Sequence, residues 1–201
     1  MEFLCSPDQL EEIYGTPVKA SVQKVATQLT DEYSRWIMAS KFCALATVGP
    51  EGTDCTPRGD EGPVVQILDA RTVLMPDWRG NNRIDSLRNI LDDGRISLMF
   101  MVPGSGTVVR LNGTARLTVD TKTSARFELN GKLPRTVIVI RVGQVYFQCA
   151  RALMRSGLWG DLPAPADLPT AGDFLNAMTA GEIDPKTYDT AWPDRAKSSL
   201  W

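Results

Sequence analysis

Apolar and polar positions change period along this chain, and the changes mark its elements. Thr16-Pro17 predicts a helix start, with threonine as cap and proline at the first helical position. Val18, Val22, Val25, Ala26 and Leu29 follow at helical spacing and predict one core-facing stripe. Thr30-Asp31-Glu32 predicts a second start, and Tyr33, Trp36 and Ile37 carry its apolar face to about Ser40. Residues 1–15 carry little pattern. From Phe42 the texture becomes that of strands. Phe42–Val48 reads as a strand closed by Gly49-Pro50-Glu51-Gly52, and Asp54–Arg58 as its antiparallel return. Val64–Leu68 and Thr72–Pro76 make a second hairpin. Arg95–Val102, Thr107–Val119, Thr136–Val142 and Gln144–Cys149 complete the set, the last two meeting at Gly143. An amphipathic helix is expected at Asn82–Leu91, with Ile84, Leu87, Ile90 and Leu91 facing inward, and a short one from Ala150 to about Trp159. Seven or eight short strands with few helices between them favour a barrel or sandwich over βαβ units. Beyond residue 160 no periodicity stands out, so an irregular extension is expected.

With 201 residues and 43% hydrophobic content, the chain can bury a core of its own, as one domain or at most a small pair. A net charge of −2 gives no basic excess, so neither nucleic acid nor an anionic membrane is expected as partner. Apolar runs such as Ile96–Val102 fall far below the ~20 residues of a membrane span. Met1–Leu10 has acidic residues early and no basic, apolar leader pattern, so a cytoplasmic location is expected. The absence of histidine excludes more than all of these. Ser-His-Asp and Cys-His catalysis, imidazole bases and His-ligated metals are beyond this chain alone. Cys5, Cys43, Cys55 and Cys149 form no C-x-x-C pair and read as reduced thiols, so no metal site is expected. Chemistry must come from carboxylates, arginines, hydroxyls or an imported organic cofactor.

Three clusters could carry it. Pro76–Arg88 places Gly80, Asn81 and Asn82 at the expected amino end of a helix, flanked by Arg79 and Arg83, where backbone N–H groups and the helix dipole favour an anion. All eight basic residues between Phe42 and Thr121 are arginine, the side chain that meets phosphate with paired donors. Capping by Asn82 beside solvated arginines accounts for the same residues. Thr56–Pro63 puts Arg58, Gly59 and Asp60 at a strand end, where glycines admit a flat ligand; a polar loop with Arg58 paired to Asp60 is the plainer reading. Arg151 and Arg155 share a helical face near Trp159, as a snorkelling surface pair or as a ligand-facing one. Gly104-Ser105-Gly106 lacks the third glycine and the helix of a dinucleotide fingerprint, and reads as a hairpin connection.

Taken together, these segments resemble the pyridoxamine 5'-phosphate oxidase-like family of flavin-binding split barrels, in particular its uncharacterised bacterial branch. Ala44–Thr47 with Gly52, Thr56–Asp60, Pro76–Arg83, Val109–Gly113 and Cys149–Trp159 carry the likeness, over roughly residues 30–160. The resemblance implies a mainly β fold, a Greek-key-like antiparallel split β-barrel with helices at one side. Around the FMN-binding barrel domain that it implies (30–160), an N-terminal segment with helix (1–29) and an irregular C-terminal extension (161–201) packed on the barrel are expected. The resemblance further implies a homodimer with FMN in clefts between subunits. Asn81, Asn82 and Arg83 would hold the phosphate; Arg58, Gly59, Asp60 and Arg110 would lie along the flavin, and Pro76 and Asp77 would approach its ring. Arg155 and Trp159 match residues that the oxidase takes from its partner subunit. Val108 replaces a flavin-contacting glutamine, Gln148 stands where relatives of this branch tend to have histidine, and the oxidase's Arg-and-His substrate motif cannot be present. The expectation is an FMN-dependent oxidoreductase with a small-molecule substrate or electron donor other than pyridoxamine phosphate; the alternative is a non-enzymatic flavin-binding, sensing or storage dimer. No catalytic residue is assigned.

Overall fold

In the computed structural model, which describes residues 1–160, 165 and 167–199, the alternating stretches become seven strands among the described residues. These are β1 (Phe42–Gly49), β2 (Gly52–Gly59), β3 (Gln66–Asp69), β4 (Thr72–Asp77), β5 (Arg95–Met101), β6 (Val108–Thr118) and β7 (Thr136–Gln148). They form one sheet in the order β2-β1-β5-β6-β7-β4-β3, each neighbouring pair antiparallel. β2 and β3 are its edges, so the barrel is split and the sheet is not closed.

Period-two alternation sets the two faces. Cys43 and Leu45 of β1, Leu98 and Phe100 of β5, Val109 and Leu111 of β6 and Ile138 and Ile140 of β7 are all buried in one core. Helix α3 (Asp31–Met38) starts as expected, the Thr30 hydroxyl accepting from the Tyr33 N–H, and drives Ile37 into that core. Helix α4 (Asp85–Asp92) adds Leu87 and Ile90. A smaller cluster of Leu74, Phe127 and Val137 has Trp78 and Val139 packed against it. Phe127 follows α5 (Thr121–Ala125), a helix capped by Asp120 that apolar spacing does not reveal.

Several expectations are corrected. The helix expected from Thr16 shrinks to α2 (Lys19–Gln23), with Val18 at the cap position and no side-chain cap; Val18, Val22 and Val25 are exposed. Valines stiffen χ1 and disfavour helix, and the backbone of Ala26 pairs with Val145 while the Leu29 N–H donates to Ala70 O. Residues 1–15 hold α1 (Pro7–Tyr14), started by a Ser6/Gln9 capping box. The last two strands are one, with the ladder shifting at Asn112/Gly113 so that Gly143 bulges. Ile84 and Leu91 are exposed, because α4 starts at Asp85 and turns Ser86, Leu87 and Ile90 inward. The extension is not irregular where it is described. After α6 (Arg151–Ser156) come α7 (Ala171–Met178), with a Thr170/Asp173 capping box, and α8 (Pro185–Ser199), which pack on each other at Gly172 and Pro185. Residues 161–164, 166, 200 and 201 of that extension lie outside the described residues.

Candidate functional site

β2 pairs Arg58 with Cys43 of β1, on the core side of the sheet. β4 ends at Asp77, which the β4–β7 register sets opposite Thr136. Arg58 Nη1 donates to Asp77 Oδ1 at 2.5 Å, with the two side chains only 20% and 15% exposed. The chain then leaves β4 through a loop that is tied at both ends. Trp78 Nε1 donates to Asp60 Oδ2 (3.0 Å), and Asn81 Oδ1 accepts from the Arg83 backbone N–H (2.9 Å). Asn82 has φ +62°, a left-handed conformation that asparagine tolerates better than most residues. Its Oδ1 accepts from Arg135 Nη1 (2.8 Å), while the Arg135 backbone N–H donates to Asp77 O (3.1 Å).

Between these groups lies a cleft of about 360 Å³, bordered by Arg58, Arg83 and Arg135 with Asp77 as its one carboxylate. Arg58 Nε and Thr136 Oγ1, buried atoms of two residues that border the cleft, have no hydrogen-bond partner among the described residues. Buried polar groups left without partners are costly and uncommon. The three guanidiniums that border it favour an anion rich in acceptor oxygens. A second cleft of about 260 Å³ shares Arg58, Trp78 and Gly80 with the first and adds Gly59, Asp60, Pro76 and Arg79. A third, about 390 Å³, is bordered by Glu51, Asp54, Asp85 and Asp92 against Arg83 and Arg88, so its charge disfavours anions. Arg83 borders both the cationic and the acidic cleft. Its Nε donates to Asp85 Oδ2 at 2.6 Å, and that hydrogen bond together with the Asp85 charge pushes the guanidinium above its ordinary pKa.

The structure thus gathers Arg58, Gly59, Asp60, Pro76, Asp77, Asn81, Asn82 and Arg83 around two adjoining clefts. It does not build the expected helix-end anion site. α4 starts at Asp85, with an acidic first turn and with Ile84 rather than Asn82 at the cap position, and Ile84 makes no side-chain cap. Nor does Arg58 pair with Asp60. Arg110 lies on the opposite face of the sheet, aligned with Met99 and Tyr146, its guanidinium 5.2 Å from the Tyr146 ring centroid. There it borders a cleft of about 350 Å³ with Cys55 and Gln148. Arg155 is exposed on α6, and Trp159 Nε1 donates to Ser105 O (2.8 Å) of the β5–β6 connection. Sequence reasoning missed Arg135 and Thr136. Their only signal is the pairing of β7 with β4, which no local pattern carries.

An open antiparallel barrel with an arginine-bordered cleft beside the β4–α4 loop is the class of protein that the fold and site define. Residues 29–149 match the family model described as pyridoxamine 5'-phosphate oxidase, and the chain belongs to that family. Similar solved structures include HupZ of Group A Streptococcus (20% identity, covering 58% of this chain and 91% of that one, TM-score 0.48). A protein from Clostridium acetobutylicum related to general stress protein 26 shows 12% identity over 59% of this chain and 86% of that one, TM-score 0.44. An FMN-binding protein from Syntrophomonas wolfei shows 10% identity over 70% and 95%, TM-score 0.45. Comparison with curated proteins finds no match. Among the described residues no helix is long and apolar enough to cross a membrane.

Proposed function

We propose that this chain is an FMN-binding flavoprotein, a homodimeric cytoplasmic oxidoreductase whose substrate is not pyridoxamine phosphate. The observation that carries the reading is the cleft bordered by Arg58, Arg83 and Arg135, set within a family match over residues 29–149. A phosphate monoester brings about −1.5 to −2 charge and three acceptor oxygens, which suits those donors. FMN, when bound, supplies hydride and electron transfer. The chain's own residues hold and orient it. Arg58, kept in place by Asp77, and Arg83 border the cleft with their guanidiniums; the Asn81–Arg83 loop, tied down by Arg135, closes one side. Gly59 and Gly80 have no positive φ, and at neither would a Cβ meet the chain closer than ordinary contact, so no packing inside the chain requires glycine there and both leave room for a flat ligand. Asp60, Pro76 and Asp77 border the adjoining space. Arg110, Arg155 and Trp159, which this chain keeps apart from that cleft, would serve flavin between subunits. No histidine is needed for such a role, and the exposed thiols of Cys5, Cys55 and Cys149 suit a reducing compartment.

Absorbance of the purified protein, mass identification of any released ligand and sedimentation at a flavin wavelength test the proposal. Flavin absorbance travelling with a dimer is expected. A colourless protein that takes up no added FMN overturns the reading. Reduction of bound flavin by NADPH or NADH, with turnover, separates an oxidoreductase from a flavin-storing or sensing dimer.

A further inference from the structure

Of the arginines at the cationic cleft, two are committed to groups that also shape it: Arg58 to Asp77, and Arg135 to Asn82. Arg83 is different. Its side chain is 80% exposed, and its charge is spent on Asp85, a carboxylate only two residues away and itself 40% exposed. Asp54 also acts on the Arg83 charge from the acidic side. The Arg83 backbone is held by Asn81 Oδ1, so the side chain can swing while the loop stays fixed. Asp85 is the first residue of α4, where the positive end of the helix dipole keeps a carboxylate in place.

We propose that Asp85 is an internal competitor for Arg83, so that a phosphate monoester bound in the cationic cleft must take the guanidinium away from it. The proposal rests on reading that cleft as the phosphate site. A phosphate monoester near −2 outbids a carboxylate at −1 for the same fork of donors. Asp85 therefore lowers affinity for phosphorylated ligands and leaves unphosphorylated ones alone. Exposed ion pairs are weak, so the competition is worth about two- to fivefold in affinity, most at low ionic strength.

The test is titration of the full-length apo-protein with FMN and with riboflavin, followed by flavin fluorescence in low-salt buffer. Wild type is compared with Asp85→Asn, Arg83→Ala and the double variant, with thermal melts as the folding control. Asp85→Asn should bind FMN about two- to fivefold more tightly with riboflavin affinity unchanged. In the Arg83→Ala background the same change should do nothing. Asp85→Ser, a shorter neutral side chain that also suits a helix start, should reproduce the gain if Asn perturbs α4. Unchanged or weaker FMN binding by both Asp85 variants, with Arg83→Ala still losing affinity, overturns the competition and leaves the phosphate reading standing. An equal gain for riboflavin also overturns it. If Arg83→Ala leaves FMN affinity unchanged, the phosphate reading itself falls, and the competition with it.

Discussion

Replacing Arg58 by methionine keeps much of the apolar stem and removes the charge that faces Asp77. Asp77 would then be a carboxylate with its side chain 15% exposed and its ion-pair partner gone. Breaking a buried pair from one side costs about 3–5 kcal/mol, whereas a fully exposed pair is worth about 0–1 kcal/mol. Side chains 20% and 15% exposed lie between those limits and nearer the buried one. A loss of about 3 kcal/mol follows, which for a chain of this size lowers Tm by about 6–12 °C. Arg58→Met/Asp77→Leu should recover part of that loss, because removing both charges leaves none stranded. Circular dichroism melts of the apo-proteins measure the stability side. The same Arg58→Met variant should also lose flavin affinity about ten- to hundredfold, since a guanidinium bordering the cleft is gone and a charge-assisted bond is worth about 1.5–3 kcal/mol. A single variant that melts within about 1 °C of wild type would refute the argument for a desolvated pair.

Three further outcomes are expected. Cys43 is buried, and desolvation pushes its thiol up to about 12 despite the nearby charge of Arg58, so brief alkylation of the native protein at pH 8 should leave Cys43 unmodified by mass spectrometry. Hydrogen bonds from the Arg95 side chain and backbone lower the Asp93 carboxyl from 3.8 to about 2; its stabilisation is complete above the ordinary value and is lost as pH falls toward 2. Asp93→Asn should therefore flatten the dependence of the urea midpoint on pH between about 4 and 2. At the β6–β7 bulge a Cβ on Gly113 would collide with the Arg141 carbonyl, so Gly113→Ala should cost at least about 2 kcal/mol, read as a drop in Tm or loss of soluble protein.

Strand content was legible because alternation is a local signal. Phe42–Val48 stands out as a short apolar run between turn residues, and Thr107–Val119 alternates so that Val109, Leu111 and Ala115 share the buried face. Cap chemistry made Thr30 readable for the same reason. The valines at 18, 22 and 25 misled because spacing shows where a stripe could lie and not whether a surface exists to cover it. The candidate site was half legible. Arg58 and the Pro76–Arg83 segment stand out by residue type, whereas Arg135 and Thr136 reach the cleft only through pairing of Asp77 with Thr136 across 59 positions of chain. Helix starts slip by a turn when more than one cap is available. Placing Asn82 at the cap turned a loop residue, which bonds Arg135, into an imagined helix end.

Whether Arg155 belongs to the same binding site as Arg83 is a question of symmetry, and symmetry makes it measurable. Trp159 anchors the end of the α6 segment on its own chain through Ser105, and Arg155 is exposed on that helix. The proposed dimer would have each flavin take Arg83 from one subunit and Arg155 from the other. Arg83→Ala and Arg155→Ala homodimers would then each have two damaged sites. Mixing them with subunit exchange produces heterodimers in which one site carries both substitutions and the other carries neither. With random pairing, half the dimers are mixed, and recovered high-affinity flavin capacity approaches about a quarter of wild type. Separately tagged subunits allow the mixed dimer to be purified, where one intact site in two is expected by flavin absorbance per chain. If both arginines served the same subunit's flavin, every site in the mixture would stay damaged and no capacity would return. Zero recovery in a purified mixed dimer therefore removes α6 from the partner's site, whereas a value near one flavin per two chains requires the shared cleft.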